Sequence, residues 1–230
     1  MKTLIVVASH NHPERLHYLF DDGSPFWKMG VEGVQVCVVD NGSNHTGTKA
    51  MYDHLEHQCG RLVIHRANVG YETGAFQAAQ VAYPDFDRYM FLQDDTGIQV
   101  SNWLQRFEAA FNATPYCGAV GHIIYREGRH LTCEGSVMPV LDELRLRMGR
   151  PNVFYNQFIG GAMLYTSRVV LDELNKFGGI AHPQEQTAAG RMFGFICERL
   201  FSTMIENLGH PITAVPGTIV NGWSDGGGTR

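Results

Sequence analysis

The sequence lacks any apolar run long enough to cross a bilayer. Its first run, Leu4-Ile5-Val6-Val7-Ala8, gives way to His10, His12 and Glu14 with no cleavage-site pattern, whereas a span needs about 20 apolar residues. It reads as a buried strand, and no integral membrane segment is expected. Cysteine is scarce: Cys37, Cys59, Cys117, Cys133 and Cys197 are odd in number and form no Cys-x-x-Cys pair. That gives a structural zinc knot little support, and reduced, mostly packed thiols in a cytoplasmic setting are expected. Charge is sparse as well, at 18% of residues, and its balance is -5. That sign argues against nucleic acid as a partner. No Gly-x-Gly-x-x-Gly, Gly-Lys-Ser or Gly-Lys-Thr occurs, which removes the usual dinucleotide and P-loop readings. His10 and His12 lack the helical metal spacing. The aromatic residues from Phe193 to Phe201 are of core type and imply neither haem nor flavin.

What is present is ordinary globular material. Hydrophobic residues make up 44% of the 230-residue chain, enough for the core of one domain over 1–230. Short apolar runs alternate with helical patterns through the first half. Strand-like stretches are Thr3 to Ser9, Val34 to Val39, Arg61 to Ile64 and Tyr89 to Leu92. Helical stretches are Glu14 to Phe20, Lys49 to His57 and Gly74 to Tyr83, the last stopped by Pro84. This order predicts an α/β fold with a mixed, mostly parallel sheet flanked by helices. Later, Trp103 to Phe111, Arg168 to Phe177 and Thr187 to Leu208 read as helices. Tyr116 to Tyr125 and Ile212 to Val220 read as strands, Leu131 to Val140 as an added strand or loop, and Asp142 to Asn152 as an exposed connection. Gly226-Gly227-Gly228 has little to bury and reads as a frayed end.

Ligands collect beyond the carboxyl ends of strands in such a sheet. Asp40 ends one apolar run, and Asp94 with Asp95 ends another. A carboxylate there can accept from a nucleobase N–H or ligate a hard divalent cation, and equally can cap a turn. Asn68-Val69-Gly70-Tyr71-Glu72-Thr73-Gly74 joins a strand to a helix, with glycines that let ligand or backbone approach closely. Gly160-Gly161 precedes an apolar run, as an acceptor-facing wall or a tight packing bend. A stripe through Phe193, Cys197, Leu200, Met204 and Leu208 anchors a helix from which Glu198 is offset, toward a cleft or toward solvent.

Taken together, Val38-Val39-Asp40-Asn41-Gly42-Ser43, Asn68-Val69-Gly70, Phe91-Leu92-Gln93-Asp94-Asp95 and Gly160-Gly161-Ala162-Met163-Leu164 resemble the family 2 glycosyltransferases of the GT-A nucleotide-sugar-binding fold. Val6-Val7-Ala8-Ser9-His10-Asn11 is similar to that family's opening strand and polar loop. Phe193 to Leu200 also resembles a motif of bacterial polysaccharide glycosyltransferase-like domains. The resemblance implies a nucleotide-sugar half over 1–95 and an acceptor and catalytic half over 96–230. It implies a donor site of Ser9, Asn11, Asp40, Asn68, Gly70, Gln93 and Asp94, with Asp40 on a pyrimidine base. Asp95 would hold Mg2+ or Mn2+, Gly160 and Gly161 would face the acceptor, and Glu198 would be the base. Gln93 stands where the family's acid-x-acid motif commonly opens with Asp, and Glu198-Arg199 matches only the first member of its Glu-Asp pair. The implied reaction is inverting transfer from a UDP-sugar or dTDP-sugar to a glycan or small-molecule hydroxyl. A glycosidase, a sugar-1-phosphate nucleotidyltransferase and a non-catalytic nucleotide-sugar or glycan-binding domain are the rival readings.

Overall fold

The first strand decides the layering. A computed structural model describes residues 1–126, 137–181 and 191–220, and in it β1 (Thr3–Ser9) is buried along its whole length. Successive side chains of a strand point to opposite faces, so both faces of β1 need cover. Leu4, Val6 and Ala8 enter one core, while Ile5 and Val7 enter another on the far side of the sheet.

The chain then runs through α1 (Pro13–Phe20), a 3-10 turn at Pro25–Trp27, β2 (Val34–Asn41), α2 (Thr48–His57), β3 (Leu62–Arg66), α3 (Tyr71–Ala82) and β4 (Arg88–Gln93). Next come β5 (Gly97–Ile98), α4 (Trp103–Ala113), β6 (Ala119–Gly121), β7 (Ile124–Arg126), α5 (Val137–Met148) and β8 (Gln157–Ile159). A 3-10 turn at Gly160–Ala162 leads to β9 (Leu164–Ser167), α6 (Arg168–Asn175), α7 (Arg191–Asn207), β10 (Ile212–Ala214) and β11 (Ile219–Val220). Leu16, Leu19, Tyr52, Leu55, Trp103 and Phe107 of α1, α2 and α4 cover one face. Phe76, Ala79, Leu144, Leu171, Leu200 and Met204 of α3, α5, α6 and α7 cover the other.

The main sheet has seven strands in the order β10-β6-β9-β4-β1-β2-β3. Its pairings are parallel except where β9 lies antiparallel to both β4 and β6. The mixed, mostly parallel sheet flanked by helices is thus present. Strand order leaves β1 in opposite directions toward β2 and β4, so a crevice opens at their carboxyl ends, where Ser9 and Gln93 lie.

Four local expectations are corrected. Much of the supposed exposed connection from Asp142 is helical, because Val140, Leu144 and Met148 recur every fourth residue and are all buried. Val137 to Val140 opens that helix; 131–136, with Cys133, lie outside the described residues. Tyr116 to Tyr125 is not one strand: β6 joins the main sheet, while β7 pairs with β8. Ile212 to Val220 likewise divides, β10 pairing with β6 and β11 with β5, across a turn where Gly217 takes φ 71°. Residues 187–190, the side chain of Phe193 and Gly226 to Gly228 also lie outside the described residues.

Candidate functional site

The loop leaving β1 is tied to the loop leaving β2. Asn11 adopts a left-handed φ of 59°, which Asn tolerates better than most residues. Its Oδ1 accepts from the N–H groups of Asn44 at 2.7 Å and His45 at 3.0 Å, and its own N–H donates to Ser43 Oγ at 2.9 Å. Asn11 therefore braces two loops. Asp40 is buried beside them, its Oδ1 accepting from Ser43 N–H at 2.9 Å and its Oδ2 lying 3.0 Å from His65 Nδ1.

The loop from β3 to α3 is fastened to the same strand. Asn41 Nδ2 donates to Asn68 Oδ1 at 2.6 Å and to the Tyr71 carbonyl at 3.0 Å. Gly70 takes φ 76° and Tyr71 φ 55° just before the helix. A left-handed tyrosine is costly, and here it stands at the cleft wall. Gly74 is needed for packing: a Cβ there would run into the Val69 carbonyl.

The cleft itself, of about 250 Å³, lies over the ends of β1 and β4. Ser9, Gln93, Asp94 and Asp95 line it, joined by His10, His12, Arg15, Tyr71 and Glu72. Asp94 Oδ1 accepts from Arg15 Nη1 at 3.2 Å, and its Oδ2 accepts from the His10 N–H at 3.3 Å. Both of its oxygens are thus occupied within the chain. Asp95 Oδ1 is buried and has no hydrogen-bond partner among the described residues. Burial pushes both carboxyls above their ordinary range, while Ser9 and Arg15 hold Asp94 down in part and Arg15 does so for Asp95.

Glu72, missed from the sequence, stands on the first turn of α3. Burial, with the Glu198 and Asp95 charges adding to it, pushes its carboxyl up to about 7 against the opposing pull of its own backbone N–H. Glu198 does not line the cleft. It belongs to a ladder in which three side chains of α7 meet β8 and the turn after it. Glu198 Oε1 accepts from Gly161 N–H at 2.6 Å, Ser202 Oγ from Ile159 N–H at 3.0 Å, and Glu206 Oε1 from Gln157 Nε2 at 2.7 Å. Between Gln157 and Ile159, two residues of extended chain rise about 6.6 Å against about 6 Å for the four helical residues between Glu206 and Ser202, so the periods match there. Gly161 takes φ 66°, and Gly160 has no room for a Cβ because the Tyr125 ring fills the space. Burial raises the Glu198 carboxyl, and the Gly161 N–H and Arg199 charge only partly offset that.

Ser9, Gln93, Asp94 and Asp95 therefore converge on the cleft. Asn11, Asp40, Asn68 and Gly70 brace its walls, and Glu198 with Gly160 and Gly161 forms a separate cluster linked to it through Glu72. Arg15 could have been found from its place just beyond the first strand end, and Glu72 from its place inside the glycine loop.

No protein-family model matches the chain, and neither does any curated protein. Solved structures do match. A mannosyltransferase from Pyrobaculum calidifontis, in complex with GDP-Man and Mn2+, has a TM-score of 0.58 at 15% identity over 94% of this chain and 55% of its own. TarS of S. aureus, in complex with UDP-GlcNAc, gives 0.56 at 16% identity over 94% and 56%. The chain has a GT-A-like fold. It spans about half the length of both these proteins. A CMP:2-keto-3-deoxy-manno-octonic acid synthetase complexed with CTP matches at TM-score 0.50 and 13% identity, over 94% of this chain and 90% of its own. The GT-A-like architecture alone thus does not separate sugar transfer from nucleotidyl transfer.

A divalent cation can be tested against the residues present. Among the described residues, no three His, Cys, Asp or Glu side chains converge as a metal site. Mg2+, however, commonly takes only one or two carboxylates and completes its shell with waters and substrate phosphates. The partnerless, buried Asp95 Oδ1 suits that role.

Proposed function

We propose that the chain is an inverting glycosyltransferase of the family 2 type, moving a sugar from a pyrimidine nucleoside diphosphate, UDP or dTDP, to an acceptor hydroxyl. The carrying observation is the buried Asp95 Oδ1, without a partner among the described residues, at the strand-end crevice of a GT-A-like sheet. Asp95 would hold Mg2+ or Mn2+, which when bound supplies positive charge against the departing diphosphate. Asp40, paired with His65 at the end of β2, would read the base. Gly160, where a side chain is excluded, and Gly161, where a positive φ would strain one, would wall the acceptor side. Glu198 would take the hydroxyl proton, and its raised carboxyl fits a base working near neutral pH.

A non-catalytic nucleotide-sugar-binding domain is the second reading. It is favoured by Glu198 Oε1, already taken by the Gly161 N–H, and by neutral Gln93 in the cleft.

Mass spectrometry of products from a nucleotide-sugar panel, with and without sugar acceptors, tests the proposal. The expected product is acceptor plus one sugar, with release of nucleoside diphosphate. Asp95→Asn should cut metal-assisted turnover on the order of a hundredfold, the scale for losing one group that stabilises developing charge. Free sugar as sole product would mean hydrolysis, and pyrophosphate release from a nucleoside triphosphate would mean nucleotidyl transfer. Binding without turnover across the panel would favour the second reading.

A further inference from the structure

The donor cleft is acidic for a site meant to receive a diphosphate. Glu72, Asp94 and Asp95 all line it, and Arg15 is the single Lys or Arg among the described residues that do. Gln93 adds no charge to draw in a cation. A diphosphate entering this cleft with no cation present would meet carboxylates, and Arg15 is the permanent positive charge that the described lining offers against them.

Arg15 is also held ready. It stands on the first turn of α1, and its Nη1 donates to Asp94 Oδ1 at 3.2 Å. Asp94 is buried, whereas the Arg15 side chain keeps 35% of its surface exposed. A guanidinium carries five N–H donors in a planar fork, so one bond to Asp94 leaves others for phosphate oxygens. The two Asp94 oxygens are divided between Arg15 and the His10 N–H, so the carboxylate fixes the cation to the β1 loop and is not itself a ligand toward phosphate.

We propose that Arg15, anchored by Asp94, binds the donor diphosphate directly and gives the cleft an affinity for nucleoside diphosphates that needs no divalent cation. This rests on the nucleotide-sugar reading and specifies how that site holds its anion.

Titration calorimetry with UDP and with GDP, in EDTA and in Mn2+, tests it. Wild type should bind at least one of them in EDTA, and Arg15→Gln should weaken that binding about tenfold or more, the scale of a charge-assisted bond. Asp94→Asn breaks the same ion pair but keeps the guanidinium, so it should bind several-fold tighter than R15Q in EDTA. R15Q leaves the buried Asp94 carboxylate uncompensated and can impair folding. The double variant D94N/R15Q avoids that, and it should bind about tenfold weaker than D94N. Equal affinity of R15Q and wild type in EDTA, or equal losses in R15Q and D94N, would overturn the Arg15 assignment alone. A wild-type chain that binds neither nucleotide in either buffer would overturn the nucleotide-sugar reading along with it.

Discussion

Two glutamates share an electrostatic environment but face opposite pH tests. Burial raises Glu198, which must lose its proton to act as a base. The acid limb of the single-turnover rate is therefore expected above the ordinary carboxylate range, with transfer rising as pH increases through it. Glu198→Gln should remove that limb and lower the rate by about 10²–10⁴-fold. A near-wild-type rate in E198Q at saturating donor would move the base elsewhere. Glu72 is tested by stability instead. Its carboxyl is raised from 4.5 to about 7 in the folded chain, so the folded state keeps a proton that the unfolded state has lost. The protonated group's contribution is fully present below the unfolded value and is lost as pH rises through that window. Wild type should therefore lose stability relative to Glu72→Gln between those pH values, read by urea unfolding in metal-free buffer. Parallel curves for the two proteins would mean that the Glu72 carboxyl is not raised in the folded chain.

At the scale of elements, the ladder between α7 and β8 sets where Glu198 sits. Ser202 and Ile159 are fully buried, so Ser202→Ala would leave the Ile159 N–H unpaired in the core. The expected cost is about 1–3 kcal/mol, measured as a lower urea midpoint with the slope unchanged. No loss would mean that the ladder adds nothing to the register. The stripe of Cys197, Leu200 and Met204 was legible from its spacing, and so was the offset of Glu198. Its partner was not, because helix positions 206 and 202 meet strand positions 157 and 159, and helix position 198 meets Gly161 in the turn after them, only after both have folded. For α5 the signal was present but obscured. Val140, Leu144 and Met148 keep a four-residue spacing among Asp142, Glu143, Arg145 and Arg147, and those charges made the segment read as a solvated loop. Gly74 was legible as a site where ligand or backbone approaches closely, and the Val69 carbonyl does so.

Across the whole molecule, the parallel half of the sheet could be read because each apolar run was followed by a helix and ended in polar residues. The reversal at β9 could not be read, since a four-residue strand, Leu164–Ser167, carries no mark of direction. Likewise, sequence brought Asp40 and Asp95 to strand ends, but the lateral order that opens the crevice between β1 and β4 depends on pairings far apart in the chain. That reversal has a geometric consequence. β1, β2 and β4 deliver their polar residues to the cleft rim as they leave the sheet, whereas β9 reaches the same rim as it enters. Leu164 pairs with Phe91, and just before it Met163 Sδ accepts from Thr96 Oγ at 3.0 Å, beside the Asp94-Asp95 turn. Chain length added ahead of β9 would therefore reshape the rim, while length added behind it, at Ser167, would fall on the opposite edge of the sheet. The two ends of one short strand thus offer separate sites for variation, one that alters what the cleft can admit and one that leaves its mouth untouched.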